Sequence, residues 1–478
     1  MLIGRDIERA QLRELLASPN AELLALYGRR RVGKTYLIRS FFANQLVFEL
    51  SGLQDAPLTQ QLDNFAFWLS RSFAEGIILP RPPSWTAAFQ LLIQYLEANP
   101  KKEKQVLFLD ELPWLDTPKS GFLGAFDLFW NSWASRQTNL IVVICGSAAS
   151  WMIQHVVNNK GGLHNRITRR IRLLPFTLAE TESFLKSQRV LLDRYQLLQL
   201  YMVMGGIPHY LKEVRPGESA TQTIDRLCFT KDGLLQDEFK NLYAALFNRA
   251  DRHVALIKLL ANKPQGLTRN ELIASGSFQS GGTVTQLLSE LFESGFIAHY
   301  LPFGKTSKDA IYKLTDEYSL FYLKFIDNSR ANGPGTWLSK SMGQSWTSWA
   351  GLAFEQIGQK HMPQLKQALG IANVYTEHSA WRYTPKNAGE TGVQIDLLID
   401  RQDHVINLCE LKFSTNEFVI TKAYAETLER KRRVFQQQTH TRKTIFLTLI
   451  TTFGVKPNPY ATSLIQSQLT MDALFAVK

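Results

Sequence analysis

Gly28-Arg29-Arg30-Arg31-Val32-Gly33-Lys34-Thr35 is a complete Walker A motif, set between an apolar run (Ala21 to Tyr27) and a helical pattern (Tyr36 to Phe42). Glycines let such a loop wrap closely, its backbone N–H groups point at phosphate oxygens, and the helix that follows adds the positive end of its dipole. Lys34 is placed to reach the β- and γ-phosphates, and Thr35 to offer its hydroxyl to Mg²⁺. Gly28 through Thr35 are therefore expected to bind a nucleotide, ATP with Mg²⁺. Arg29, Arg30 and Arg31 are expected to point outward, toward DNA or a partner.

Working outward, further short apolar runs occupy Gln45 to Leu50, Val106 to Leu109, Leu140 to Cys145 and Ile171 to Leu174. Continuous apolar strands separated by helices imply a parallel sheet covered on both faces, so residues 1–180 read as a doubly wound α/β core. Leu107-Phe108-Leu109-Asp110-Glu111 is the matching Walker B motif. Its strand delivers Asp110 to Mg²⁺, and Glu111 stands where a base can orient the attacking water. Ser147 ends the next strand, where it can read the γ-phosphate or position water. Capping a helix that begins near Ala148 is the alternative. Arg166, Arg169, Arg170 and Arg172 cluster just before the fifth strand. One of them can serve as an arginine finger, in cis or on a neighbouring subunit's nucleotide in a homo-oligomer; a solvated basic face is the other reading.

Residues 181–245 are helical in pattern, broken at Gly205-Gly206-Ile207-Pro208. Residues 246–327 follow the order of a winged helix. His253 to Leu260 is one helix, and Thr268 with Glu271 offers a capping box for a second. Gly281 to Glu293 is a third, and a hairpin turning at Phe303-Gly304-Lys305 follows. Residues 328–345 read as a linker, and 346–478 as a last compact domain.

With these residues placed, the chain resembles the archaeal-type ATPase family of the signal-transduction branch of AAA-related P-loop ATPases. The resemblance rests on Gly4-Arg5, Tyr27-Gly28-Arg29-Arg30, Asp110-Glu111-Leu112-Pro113, Gly146-Ser147, Leu163-His164-Asn165-Arg166 and Gly205-Gly206-Ile207-Pro208. It implies Arg166 as the finger, although Asn165 stands where the family usually has glycine. It also implies a helical lid, a winged helix and a C-terminal α/β domain similar to restriction-type nucleases.

That last implication meets specific residues. Val393 to Ile399 and Ile406 to Lys412 are strand patterns, and they carry Asp396 and Glu410-Leu411-Lys412. This is the Asp…Glu-x-Lys arrangement of PD-(D/E)xK nucleases. Asp396 and Glu410 would hold Mg²⁺ with the Leu411 carbonyl, and Lys412 would orient water or stabilise developing charge. Residues two apart on a strand share a face, so Glu410 and Lys412 can act together. Glu355 matches the acidic residue such cores carry upstream. The basic helix from Thr421 to Phe435, with Lys422 and Tyr424 toward the site, can track a phosphate backbone. Gln394 stands where relatives often have an acid. An exposed ion pair at a strand end is the bland alternative.

Composition is that of a globular chain: 478 residues, 45% hydrophobic and 20% charged, long enough for several domains. A net charge of +12 favours nucleic acid or another polyanion as partner, or is ordinary solubility charge. The three cysteines are too scattered for a disulfide framework, and no apolar run is long enough to span a bilayer. A cytoplasmic protein without a membrane partner is expected. Three functions remain open: an ATP-driven nuclease acting on nucleic acid, DNA above all; a regulatory ATPase switch whose C-terminal domain binds without cutting; and a signalling scaffold. Gly281 to Glu293 carries no Lys or Arg, which weakens sequence-specific DNA reading by that helix.

Overall fold

The computed structural model describes the chain apart from residues 1, 74–77, 148, 158–164, 248, 276–277, 279–280, 328, 330–332, 386–390 and 478. Leu163-His164, the expected helix start at Ala148 and part of the expected linker lie outside the described residues. The chain forms two compact units: Met1–Pro175 with Leu242–Ala250 and Glu293–Gly295, and the remainder.

The first unit is built on β1 (Glu22–Tyr27), β2 (Leu46–Ser51), β3 (Gln105–Asp110), β4 (Leu140–Gly146) and β5 (Arg169–Arg172). They form a parallel sheet in the order β2-β3-β4-β1-β5. Every residue of β3 and β4 is buried, which is why these strands read as unbroken apolar runs. Aromatic side chains of the helices Leu58–Phe73, Trp85–Ala98 and Phe122–Ser132 pack on the sheet, with Phe65, Trp85, Phe89, Phe122 and Phe126 in one core. The fifth strand differs from expectation. It starts at Arg169, so Arg169, Arg170 and Arg172 lie within it rather than before it. It is an edge strand beside β1, with Ile171 buried, Arg170 exposed and Arg169 and Arg172 half-buried.

The second unit begins with the helices Leu178–Ser187, Arg194–Met204 and Ala220–Phe229. Each starts on a side-chain cap: Thr177 with Glu180, Asp193, and Ser219 with Gln222. Three helices follow, Ala250–Ala261, Arg269–Ala274 and Gly281–Glu293, together with a small antiparallel sheet. Its strands are β6 (Leu267–Thr268), β7 (Ile297–Tyr300) and β8 (Ile311–Leu314), ordered β6-β8-β7. The capping box on Thr268 and Glu271 is present, and Val284, Leu287, Leu288 and Leu291 are buried as their spacing predicts.

The stretch expected as a linker contains the helix Thr336–Ser341. Asp225 accepts hydrogen bonds from the N–H groups of Gly335 and Trp337, both at 2.7 Å. The Trp337 ring is buried against Phe321 and Trp346, each with centroids 5.0 Å away. Linker composition is overridden here by one aromatic anchor. The chain then enters the helix Gln344–Lys360 and a mixed sheet of β9 (Thr376–Tyr383), β10 (Val393–Arg401), β11 (Val405–Lys412), β12 (Thr444–Thr451) and β13 (Ser467–Thr470). The order is β13-β12-β11-β10-β9, parallel across β11, β12 and β13 and antiparallel across β9, β10 and β11. The helix Lys422–Thr439 makes the crossover from β11 to β12. Among the described residues no helix is long and apolar enough to cross a membrane.

Gly206 explains part of the Gly-Gly-Ile-Pro break. Its carbonyl accepts from Phe176 N at 2.7 Å, and a Cβ there would stand 1.9 Å from the Phe176 carbonyl oxygen. Gly206→Ala must push two hydrogen-bonded backbones apart. It is expected to cost about 1–3 kcal/mol, read as a lower urea midpoint of the second unit's unfolding.

Candidate functional site

The carboxyl ends of β1, β3 and β4 are neighbours in the first sheet, and each delivers part of one site. After β1, Gly28 takes φ +144°, where a Cβ would meet the Leu173 carbonyl oxygen at 2.4 Å. Only glycine lets the loop leave the strand there. Gly33 (φ +92°) then turns the chain into the helix Lys34–Phe41. Lys34 is 6% exposed and lies along the loop, with Nζ donating to the carbonyls of Gly28 (3.1 Å) and Arg29 (3.0 Å). Those bonds hold the ammonium at the place a phosphate would take it from. Thr35 Oγ1 donates to Asp110 Oδ2 at 2.7 Å, so the Walker A hydroxyl and the Walker B carboxylate converge. A hydroxyl, one carboxylate and room for water and phosphate oxygens are donors Mg²⁺ accepts.

Glu111 follows in the left-handed region (φ 46°), a conformation that costs a non-glycine residue about 1–2 kcal/mol. The turn aims its carboxylate across to β4. Ser147 donates to both of its oxygens, from Oγ at 2.8 and 2.7 Å and from the backbone N–H at 3.1 Å. Ser147 thus holds Glu111. Arg166 ion-pairs with Asp127 on the helix Phe122–Ser132.

The loop arginines depart from expectation. Arg29 is 3% exposed, and Arg30 and Arg31 are half-buried, so Arg29 does not point outward. A residue named only as a family mark does more than the sequence indicated. Arg5, itself at φ 62°, is buried and donates to the carbonyls of Val32 (3.0 Å) and Leu174 (2.6 Å), tying the phosphate loop to the chain beyond β5.

In the second unit, β10 and β11 are antiparallel, with Leu397 opposite Cys409. The β9–β10 register slips between Ile395 and Leu398, so Asp396 sits at a β-bulge, a feature that re-aims side chains. Glu410 is 5% exposed and is surrounded by donors: Lys431 in direct contact, Tyr424 Oη at 3.2 Å and Lys412 Nζ at 3.5 Å. Tyr424 was expected at the site and is there. The lysine of that helix in contact with Glu410 is Lys431, seven residues and two turns on from Tyr424, a same-face spacing the sequence carried, whereas Lys422 lies half a turn round from it. Gln394, in the place of an acid, donates to Asp396 Oδ1, and Gln359 donates to the Asp396 carbonyl at 3.0 Å.

Glu355 completes the cluster electrostatically. Burial and the negative charge of Asp396 push its carboxyl up to about 7, against the pull of Lys412 and Lys313. Burial likewise raises the Tyr424 phenol, with Glu410 beside it, and keeps it a neutral donor. Among the described residues no group of three or more His, Cys, Asp or Glu side chains is close enough to form a metal cage. Asp396 and Glu410 are two carboxylates, and a hard cation held by them would need its remaining oxygen ligands from outside the chain.

Comparison with known proteins bears on the first of these sites. Residues 2–214 match a family described as an ATPase domain predominantly from Archaea. An uncharacterized protein of Methanocaldococcus jannaschii is 24% identical over 404 residues, 83% of this chain and 84% of that one. Among solved structures, a Walker-type ATPase of Pyrococcus abyssi aligns over 68% of this chain and 96% of its own at 18% identity, TM-score 0.46. The Aeropyrum pernix ORC2 protein, solved as ADPNP–ADP complexes, aligns over 72% and 96% at 14% identity, TM-score 0.39. The N-terminal region is thus similar to an ATPase domain found mainly in Archaea, and the match spans the Walker A and Walker B residues.

The Glu355 shift has a definite sign. Free glutamate ionises near about 4.3, and folded Glu355 near 7, so between those values the folded state binds more protons than the unfolded chain. Its contribution to stability is therefore present at pH 4 and lost as pH rises through 7. A carboxyl ¹³C titration of the metal-free protein should show one resonance with its midpoint near 7. Glu355→Gln should remove it; a midpoint in the ordinary carboxylate range would show that Glu355 is not desolvated.

Proposed function

We propose that the chain is an ATP-hydrolysing protein that couples its nucleotide state to nucleic-acid binding and to Mg²⁺-dependent phosphodiester cleavage. In this reading residues 1–180 are the ATPase core and 181–245 its helical lid. Residues 246–327 are a winged helix, and 346–478 a PD-(D/E)xK nuclease-like domain. The observation that carries the hydrolytic half is the contact of Thr35 with Asp110, with Glu111 held beside it by Ser147. Backbone N–H groups of the loop and Lys34 would take the phosphates, Thr35 and Asp110 the Mg²⁺, and Glu111 would align the attacking water. Ser147 positions that carboxylate. Arg166, once released from Asp127, would serve as a finger on a neighbouring subunit's nucleotide.

The observation that supports cleavage is the placement of Asp396 and Glu410 on adjacent antiparallel strands, with Lys412 Nζ 3.5 Å from Glu410 and Glu355 under the electrostatic influence of Asp396. Bound Mg²⁺ would supply charge neutralisation at the scissile phosphate. Lys412 would orient the water, Lys431 and Tyr424 would hold Glu410 in place, and the basic face of Lys422–Thr439 would follow the backbone of DNA. A regulatory ATPase that binds nucleic acid without cutting is the second reading. It is favoured by the same Glu410 contacts, because two lysines already neutralise that carboxylate.

The variants separate the two chemistries. Lys34→Ala should lose ATP binding, and Glu111→Gln should keep binding while turnover falls about 10²-fold or more. Asp396→Ala and Lys412→Ala should abolish Mg²⁺-dependent cleavage of DNA with ATP turnover unchanged. ATP turnover that survives Lys34→Ala would sink the nucleotide assignment. A wild-type chain that cuts neither DNA nor RNA, with Mg²⁺ or Mn²⁺ and with or without ATP, would leave the regulatory reading.

A further inference from the structure

The small sheet β6-β8-β7 and the segment before it do not stand apart from the C-terminal carboxylates. Gln265, just before β6, donates from Nε2 to Gln394 Oε1 at 3.1 Å, and Gln394 donates in turn to Asp396. Arg382 on β9 fixes the other end of that amide, donating to Gln265 Oε1 at 2.9 Å. Tyr300 on β7 donates to the Gln265 carbonyl at 2.9 Å. A continuous polar chain therefore runs from the hairpin to the Asp396 carboxylate.

The hairpin is also pinned at both ends. At its turn, Phe303 N donates to the Ala380 carbonyl on β9 at 3.1 Å, and the Phe303 ring packs on Phe435 with centroids 5.4 Å apart. At its base, Gln356 on the helix Gln344–Lys360 donates to the Leu314 carbonyl at 3.0 Å. Leu314 follows Lys313 and Gln356 follows Glu355, so this bond ties the strand that carries Lys313 to the helix that carries Glu355. Lys313 is only 9% exposed, with its ammonium 5.3 Å from the centre of the Tyr300 ring. Burial lowers its pKa while Asp396 and Glu355 pull it back up, so those two carboxylates are its electrostatic partners. A lysine buried against a pair of acids holds them as a cation would.

We propose that the β7–β8 hairpin is a built-in cover of the C-terminal carboxylate site, with Lys313 serving as resident counter-ion to Asp396 and Glu355. A divalent cation and a phosphodiester then gain the site only when the hairpin lifts. The proposal rests on the nuclease-like reading for what the uncovered site does, but not for whether it is covered. It commits to a cost: the apparent affinity for metal falls by the fraction of molecules in which the cover is open. The contacts that set that fraction are Phe303 with Ala380 and Phe435, Leu314 with Gln356, Tyr300 through Gln265 with Gln394, and Lys313 with the acids.

The test uses the full chain and Mn²⁺ as the probe, read by electron paramagnetic resonance without nucleotide. Lys313→Met keeps the apolar stem and removes the charge; Phe303→Ala removes the turn anchor. Each is expected to bind Mn²⁺ about tenfold more tightly than wild type, with Asp396→Ala on the same background abolishing the gain. Wild-type ATP turnover in each variant is the check on folding. Cleavage of a DNA oligonucleotide with Mn²⁺, measured in parallel, should rise by a similar factor. Unchanged or weaker Mn²⁺ binding in both variants would overturn the cover, whether or not the chain cuts. Tighter Mn²⁺ binding with no cleavage in any variant would uphold the cover and overturn the nuclease reading instead.

Discussion

Parallel pairing of β3, β4 and β1 is the constraint on which the first unit turns. Because all three strands run the same way, their carboxyl ends leave the sheet side by side, and the loops that follow must share one edge. That alone brings Thr35, Asp110, Glu111 and Ser147 together from positions as far as 112 residues apart in sequence (147 − 35). The burial of β3 and β4 makes this edge rigid, since a strand covered on both faces cannot slide without exposing apolar side chains. A hydroxyl-to-carboxylate bond of 2.7 Å is then a consequence of strand order rather than of local loop chemistry.

The same logic shows what sequence could and could not carry. The inner strands β1, β3 and β4 were legible because burial on both faces writes a plain apolar run, and the Walker residues because their chemistry demands fixed spacing; at the edge strand β5 only Ile171 is buried, and its start at Arg169 carried no such mark. The capping box at Thr268 was legible because its two partners lie three residues apart. What escaped were features decided by partners distant in the chain. Nothing near Arg29 says that its side chain is buried. Nothing near Trp337 says that Asp225 and a group of aromatic rings will turn a linker composition into a helix. β9 was missed because Thr376–Tyr383 mixes polar and apolar residues, and only pairing with β10 makes it a strand. Its slipped register, which places Asp396 at a bulge, has no sequence mark.

Two carboxylate sites on one chain are handled by opposite electrostatic means. At the Walker loop Asp110 is 5% exposed and accepts from the Thr35 hydroxyl and the Glu111 N–H, both neutral donors, while Lys34 donates to the loop carbonyls. At the C-terminal site the acids are already answered: Glu410 by Lys431, Lys412 and Tyr424, and Asp396 by Gln394. Burying several carboxylates together is unfavourable unless protons or cations accompany them. The protein uses both remedies, a proton held by Glu355 up to about pH 7 and the ammonium of Lys313.

That difference has a consequence for regulation. A site whose counter-charges are carried by its own lysines is stable without metal, so it can remain folded and idle until those lysines are drawn off. Lys412 lies on the strand of Glu410 and Lys431 on the crossover helix that follows it, so their backbones stay in place beside Glu410. Lys313 belongs to a separate hairpin held by one aromatic contact and a handful of hydrogen bonds, about 0.5–1.5 kcal/mol each in net terms. Of the cations at this centre it is the one whose removal costs least, and the hairpin that carries it is therefore where control of the site is cheapest to exert.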